Sequence, residues 1–217
     1  MPIEAIIWDF GGVFTTSPFE AFNRYEMEAG LPRDFIRRVN STNPDANAWA
    51  RYESSQIGAA EFDAAFAADS RALGHEVRGA DVLPLIRGDL RPAMEAALHV
   101  TRARYKCGLI SNNFAPSEGG APREDEISEK TRRLRDLLGL FHHVIESAKV
   151  GIRKPDPRIY QMMCEALSVA PTACVFLDDL GVNLKPAREM GMQTIKVLNE
   201  RQALDDLATI AGVTFDV

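Results

Sequence analysis

The sequence predicts a doubly wound α/β fold, a parallel sheet wrapped by helices, with a helical subdomain inserted after the first strand. Three observations carry this. From Arg91 onward, short apolar runs alternate with helical stretches, the pattern of a parallel sheet covered on both faces. Several of the runs end on polar residues: Asp9 after Ala5-Ile6-Ile7-Trp8, Ser111 after Leu109-Ile110, and Asp178-Asp179 after Val175-Phe176-Leu177. Between residues 17 and 90 the signals are helical, with no convincing strand.

The first run is continuous and apolar and stops at Gly11-Gly12, as a strand buried inside a parallel sheet does. Asp9 then stands at the carboxyl end of that strand, the edge where ligands bind in open α/β sheets. An aspartate that merely opens a turn is the plainer reading. Ser17-Pro18 can cap and start a helix over residues 19–29, with Gly30 as its stop. Pro32 opens a second helix carrying Phe35 and Ile36, residues 46–52 form a third, and residues 58–73 a fourth with Phe62 and Phe66 at helical spacing. Arg91-Pro92 opens a helix to about residue 102, with proline in its first turn. Strands are expected at residues 105–111, 142–146, 174–178 and 193–197. The helices between and after them are expected to end near residue 140 and to cover residues 156–166, 183–190 and 202–211, the second with Asp156 as cap and Pro157 at its first position. Residues 115–126 are rich in Gly, Pro and Glu and read as a mobile loop. The division expected is a core of residues 1–15 plus 91–217 and an insert of residues 16–90.

The 217 residues suffice for a domain with a sizeable core and a smaller second one. Charged residues make up 26% and hydrophobic residues 46%, as in globular proteins. No apolar run is long enough to span a bilayer, and Met-Pro-Ile-Glu is not the start of a signal peptide. Cys107, Cys164 and Cys174 have no metal-type spacing and read as buried free thiols in a reducing, cytoplasmic setting. A net charge of −6 argues against a nucleic-acid partner. An anionic substrate would need local positive charge, from a metal or chosen side chains. Oligomeric state is left open.

Taken in order, four stretches resemble the four motifs of the haloacid dehalogenase-like hydrolases: Trp8-Asp9-Phe10-Gly11-Gly12, Leu109-Ile110-Ser111-Asn112-Asn113, Lys154-Pro155-Asp156-Pro157 and Phe176-Leu177-Asp178-Asp179. The stretches 145–151 and 176–192 are similar, more narrowly, to the N-terminal phosphatase domain of soluble epoxide hydrolases. The resemblance covers nearly the whole chain and is loosest over about residues 16–91. It implies a Mg2+-dependent phosphatase acting on a small phosphorylated substrate through an aspartyl-phosphate on Asp9, with the insert as a cap over the site. Asp9, Asp179 and the Gly11 carbonyl would hold the metal, and Asp178 would ligate it directly or through water. Ser111 and the Asn112 backbone N–H would donate to the phosphoryl oxygens. Lys154, kept extended by Pro155, would balance Asp9 and the phosphate, with Lys149 as a rival. Asn183 would hydrogen-bond a ligand carboxylate. One position departs from the family: the residue two after the nucleophile is usually an aspartate that serves as general acid/base, and here it is Gly11. The consequences left open are a slow enzyme, a substrate with a good leaving group, or a cap residue or water in that role. A non-catalytic phosphate- or protein-binding module and a dehalogenase are the competing functions. The Asp178-Asp179 pair argues against the latter, whose chemistry needs no magnesium.

Overall fold

The computed structural model describes residues 2–86, 88–112 and 129–215. Five parallel strands, β1 (Ala5–Trp8), β2 (Lys106–Ser111), β3 (His143–Glu146), β4 (Cys174–Asp178) and β5 (Gln193–Lys196), form one sheet in the order β3-β2-β1-β4-β5. Every residue of β1 and β4 is buried, whereas the edge strands β3 and β5 carry exposed ones. A strand with neighbours on both sides and helices on both faces has no polar face, so its sequence is apolar throughout.

Between β1 and β2 the chain forms α1 (Pro18–Glu28), α2 (Phe35–Ser41), α3 (Ala48–Glu53), α4 (Ala59–Ala72) and α5 (Gly79–Val82), then a 3-10 turn, Leu83–Ile86. After these come α6 (Pro92–Arg102), α7 (Glu129–Leu138), α8 (Ser147–Val150), α9 (Pro157–Leu167), α10 (Gly181–Glu189) and α11 (Glu200–Ala211). Alternation along the strands divides the core. Ile6, Trp8, Val175 and Leu177 pack on Met94 and Leu98 of α6 and Leu204 and Leu207 of α11. Ala5, Ile7, Cys174 and Phe176 pack on Ile159, Tyr160 and Met163 of α9 and Leu184 of α10. The insert closes around its own cluster, which includes Phe22, Phe35, Phe62, Phe66 and Val82.

Local chemistry sets the insert's turns. Ser17 accepts the Phe19 N–H at the start of α1, and Asn47 accepts the Ala50 N–H at the start of α3. Buried Glu26 of α1 takes the backbone N–H groups of Asp34 and Ile36, at 2.7 and 2.8 Å, and so closes the α1–α2 corner. The two linkers to the core run side by side. Thr15 and Leu90 make an antiparallel bridge, and the Thr16 N–H donates to the Asp89 carbonyl at 2.9 Å. Gly88 permits this approach, since a Cβ there would lie 2.5 Å from the Thr16 carbonyl oxygen.

The structure departs from expectation in small ways. The Thr15–Leu90 bridge is extended backbone where only helix was expected. Helices α5 and α8 have four residues each, too few to show a period in the sequence. Helix α10 begins at Gly181, two residues before the expected start, because Asp178 holds the Leu180 N–H. The 115–126 loop lies outside the described residues. No helix among them is long and apolar enough to cross a membrane.

Candidate active site

The carboxyl ends of β1 and β4 meet where the strand order reverses direction, since the chain builds β2 and β3 on one side of β1 and then β4 and β5 on the other. Trp8 is level with Leu177, so Asp9 emerges beside Asp178 and Asp179. The turn after Asp9 winds on the Phe10 carbonyl, which accepts the Phe14 N–H at 2.9 Å. Gly12 has φ +74°, and a Cβ on it would lie 2.3 Å from Asp179 Oδ2. Gly12→Ala is therefore expected to displace the Asp179 carboxylate and to cost about 1–2 kcal/mol of stability for its left-handed backbone. A urea melt and a Mg2+ titration of that variant read the two effects separately.

Lys154 is 1% exposed, and its Nζ lies 2.6 Å from Asp9 Oδ1 and 2.7 Å from Asp178 Oδ2. Its backbone is clamped by the Asn112 amide, whose Nδ2 donates to the Lys154 carbonyl at 3.0 Å while Oδ1 accepts the Lys154 N–H at 2.9 Å. Asp178 is fully buried and fully used by the protein. It takes the Leu180 N–H on Oδ1, the Lys154 ammonium on Oδ2, and Asn183 Nδ2 at 3.0 Å from each oxygen. Asp9 differs. Its Oδ1 accepts the Phe10 N–H at 2.7 Å as well as the lysine, and Oδ2 has no donor among the described residues. Asp179 likewise takes no donor from another described residue. Ser111 ends β2, half-buried, and its hydroxyl has no partner among the described residues. Lys149 is not in the cluster; it pairs with Glu146 on the surface.

Electrostatics sharpen this division. Burial pushes the Asp9 carboxyl well above its ordinary range, Lys154 opposes, and Asp178 and Asp179 push further upward. Asp179 is pushed up to about 6, by burial first and then by Asp178, with Lys154 and Arg91 pulling the other way. Burial alone would lower the Lys154 ammonium, but Asp178 and Asp9 outweigh it and hold it above its ordinary value. Asp9, Asp178 and Asp179 each offer an oxygen within 4.8 Å of the others. Three carboxylates against one lysine leave an excess of two negative charges, which suits a divalent cation of hard, oxygen-seeking type. The Asp179 carboxylate, which takes no donor from another described residue, is the one most open to such an ion, with Asp9 beside it.

The description haloacid dehalogenase-like hydrolase matches residues 3–191. The chain belongs to the haloacid dehalogenase-like hydrolases. Among its relatives, the bifunctional epoxide hydrolase 2 of Mus musculus is 29% identical over 99% of the chain, and the chain spans 40% of that enzyme's length. A phosphatase of Mycobacterium tuberculosis is 30% identical, covering 98% of the chain and 97% of its own length. A HAD family enzyme of Bacteroides thetaiotaomicron, solved with magnesium and inorganic phosphate, shares the fold with a TM-score of 0.57 at 18% identity, covering 89% of this chain and 93% of its own.

For this haloacid dehalogenase-like chain, the fold brings Asp9, Lys154, Asp178, Asp179 and Asn183 together, with Asn112 joined through Lys154 and Ser111 two strands from Asp178. Gly11 is exposed on the adjoining turn. Sequence reading missed three features: the Asn112 side chain as a clamp, Gly12 as the space for Asp179, and Arg91 as a further cation felt by Asp179. Only Gly12 carries a local signal, being the second glycine of a pair that ends a strand.

Proposed function

We propose that the chain is a Mg2+-dependent phosphate monoester hydrolase that works through an aspartyl-phosphate on Asp9. The observation that carries this is the asymmetry of Asp9: one oxygen is fixed by Lys154 and the Phe10 N–H, and the other is left for chemistry. In the first half-reaction Oδ2 attacks phosphorus as the bond to the leaving oxygen breaks, and that oxygen departs as the alcohol with a proton from solvent. In the second, water attacks the phosphorus and gives a proton to solvent, the Oδ2–P bond breaks, and inorganic phosphate leaves the free carboxylate. Lys154 favours the ionised form of Asp9 against the effect of burial and orients it. Ser111 and the Asn112 backbone N–H donate to the phosphoryl oxygens as charge builds there. Asp9, Asp179 and the Gly11 carbonyl would hold Mg2+, with Asp178 behind them through water, and the ion supplies neutralisation between carboxylates and phosphate when bound. Residues 16–90 would roof the site as a cap and select the substrate, a small phosphate ester. Phosphatase-named relatives support this reading, and three free buried thiols suit a reducing cytoplasm.

A screen of aryl, acyl and alkyl phosphates with Mg2+ and with chelator tests the proposal. Hydrolysis of the activated esters that chelator abolishes is expected; hydrolysis indifferent to chelator would remove the metal role. Gly11 favours a second reading, a non-catalytic module, which Mg2+ binding without turnover of any ester would support.

Gly11 also permits a gain-of-function test. A Cβ there meets nothing within 4 Å and its φ is not left-handed, so the backbone accepts a side chain at position 11. Gly11→Asp is expected to raise alkyl phosphate turnover by up to about 10²–10⁴-fold, the usual worth of a general acid/base. Aryl esters, whose oxygen departs with little protonation, should gain far less. An equal change for both classes would mean that position 11 is not the missing shuttle.

A further inference from the structure

The seam between the helical insert and the core converges on the segment that carries Lys154. Arg153, its chain neighbour, reaches into the insert: Nη1 donates to the Pro44 carbonyl at 3.0 Å, and Nε lies 3.0 Å from Glu53 Oε2. Beside this contact, Ser147 Oγ donates to the Glu53 carbonyl at 2.8 Å and Ser55 Oγ donates to the Ala148 carbonyl at 3.0 Å. Glu53 ends α3 and is buried, with Oε1 accepting the Trp49 indole N–H at 2.8 Å. Lys154 is thus anchored from two sides, by Asn112 just after β2 and, through its neighbour Arg153, by Pro44 and Glu53 of the insert.

We propose that Glu53 and Arg153 are a positioning pair that couples the seating of the helical insert to the placement of Lys154 against Asp9. The inference rests on the phosphatase reading only for its consequence at Lys154; the seam itself is independent of it. The contact is close but poorly aligned, because neither Glu53 Oε2 nor Arg153 Nε completes a hydrogen bond. A buried ion pair without aligned hydrogen bonds regains little of its lost hydration. Accordingly burial pushes the Glu53 carboxyl up to about 7, against the opposing pull of Arg153, the Trp49 N–H and Lys154. Other charged groups on the packed elements have their own partners: Glu61 of α4 pairs with Arg51 of α3, Asp69 of α4 takes the Ala48 N–H, and Lys149 of α8 pairs with Glu146.

The sign follows from linkage. Glu53 binds its proton more tightly in the seated state than when the seam opens and the carboxyl regains water, with an ordinary value of 4.5. The contribution of this group to seating is fully present below 4.5, is lost as pH rises through about 7, and levels off only beyond that. Opening should therefore grow by about tenfold per pH unit within this window.

Hydrogen exchange of the full chain, without substrate, reads this directly. Protection of the amides in residues 47–57 and 147–154, corrected for the chemical exchange rate, is expected to fall roughly fifteenfold from pH 5.5 to 7, to about thirtyfold by pH 8, and then level off. In Glu53→Gln, which keeps the acceptor for Trp49 but carries no charge, the fall should vanish. Arg153→Ala should lower protection in residues 147–154 at every pH, with Arg153→Lys restoring part of it. A fall that persists unchanged in Glu53→Gln, or a wild-type profile that is flat, would overturn the proposal. Should Arg153→Ala fail to fold, the Glu53→Gln comparison decides alone. Because no turnover is measured, failure here is distinct from failure of the phosphatase reading.

Discussion

Asp9→Asn should lower the turnover of phosphate monoesters by about 10⁶-fold, the scale on which loss of a nucleophile is felt in a covalent mechanism. The fold should survive. An amide in place of the carboxylate keeps an oxygen for the Phe10 N–H and for Lys154, and it removes one of three crowded negative charges. Because burial raises the Asp9 carboxyl, its ionised form costs stability at neutral pH, and the neutral variant is relieved of that cost. In the absence of metal its unfolding midpoint should equal or exceed that of the parent. Retained turnover would exclude Asp9 as nucleophile, and a large drop in the midpoint would mean that the ionised carboxylate holds the site together.

Lys154→Met should destabilise the protein by about 3–5 kcal/mol, because it strands Asp178 at 0% exposure beside Asp9 with no cation between them. For a chain of this size the midpoint should fall by about 10 °C. Adding Asp178→Asn to that variant should recover part of the loss, since the two residues are in contact and their effects are not additive. A loss below about 1 kcal/mol for Lys154→Met would show that Asn183 and the Leu180 N–H satisfy Asp178 without the lysine.

What the sequence made legible follows the range of the interactions. The inner strands β1, β2 and β4 announce themselves because a buried parallel strand is apolar over consecutive residues, and Asp9, Ser111 and Asp178 stand out because a polar residue breaks that run. Helix starts such as Pro92 and Pro157 are written into one or two neighbouring residues. The contacts that shape the site are of another kind. Asn112 turns its amide to a backbone 42 residues away, and Arg153 meets a glutamate of the insert. Neither asparagine nor arginine carries a local mark of such a partner. Lys149 and Lys154 look alike as basic residues near the third motif, and only the fold sends one to the surface and buries the other. Gly11 and Gly12 are likewise a pair by sequence, yet one faces open space and the other stands against Asp179.

The Thr15–Leu90 bridge bears on how this protein can vary. Residues paired across an antiparallel bridge lie about 5 Å apart. Seen from the sheet, the whole excursion between them is equivalent to a tight turn, whatever its length. Doubling such an excursion costs only about 0.6 kcal/mol in closure entropy. The strands that carry Asp9 and Asp178 should therefore tolerate large remodelling of the chain hung from this point, including its replacement by a segment with different side chains. On the cap role proposed for the insert, exchange of that module would change substrate choice while Asp9, Lys154 and Asp178 keep their register.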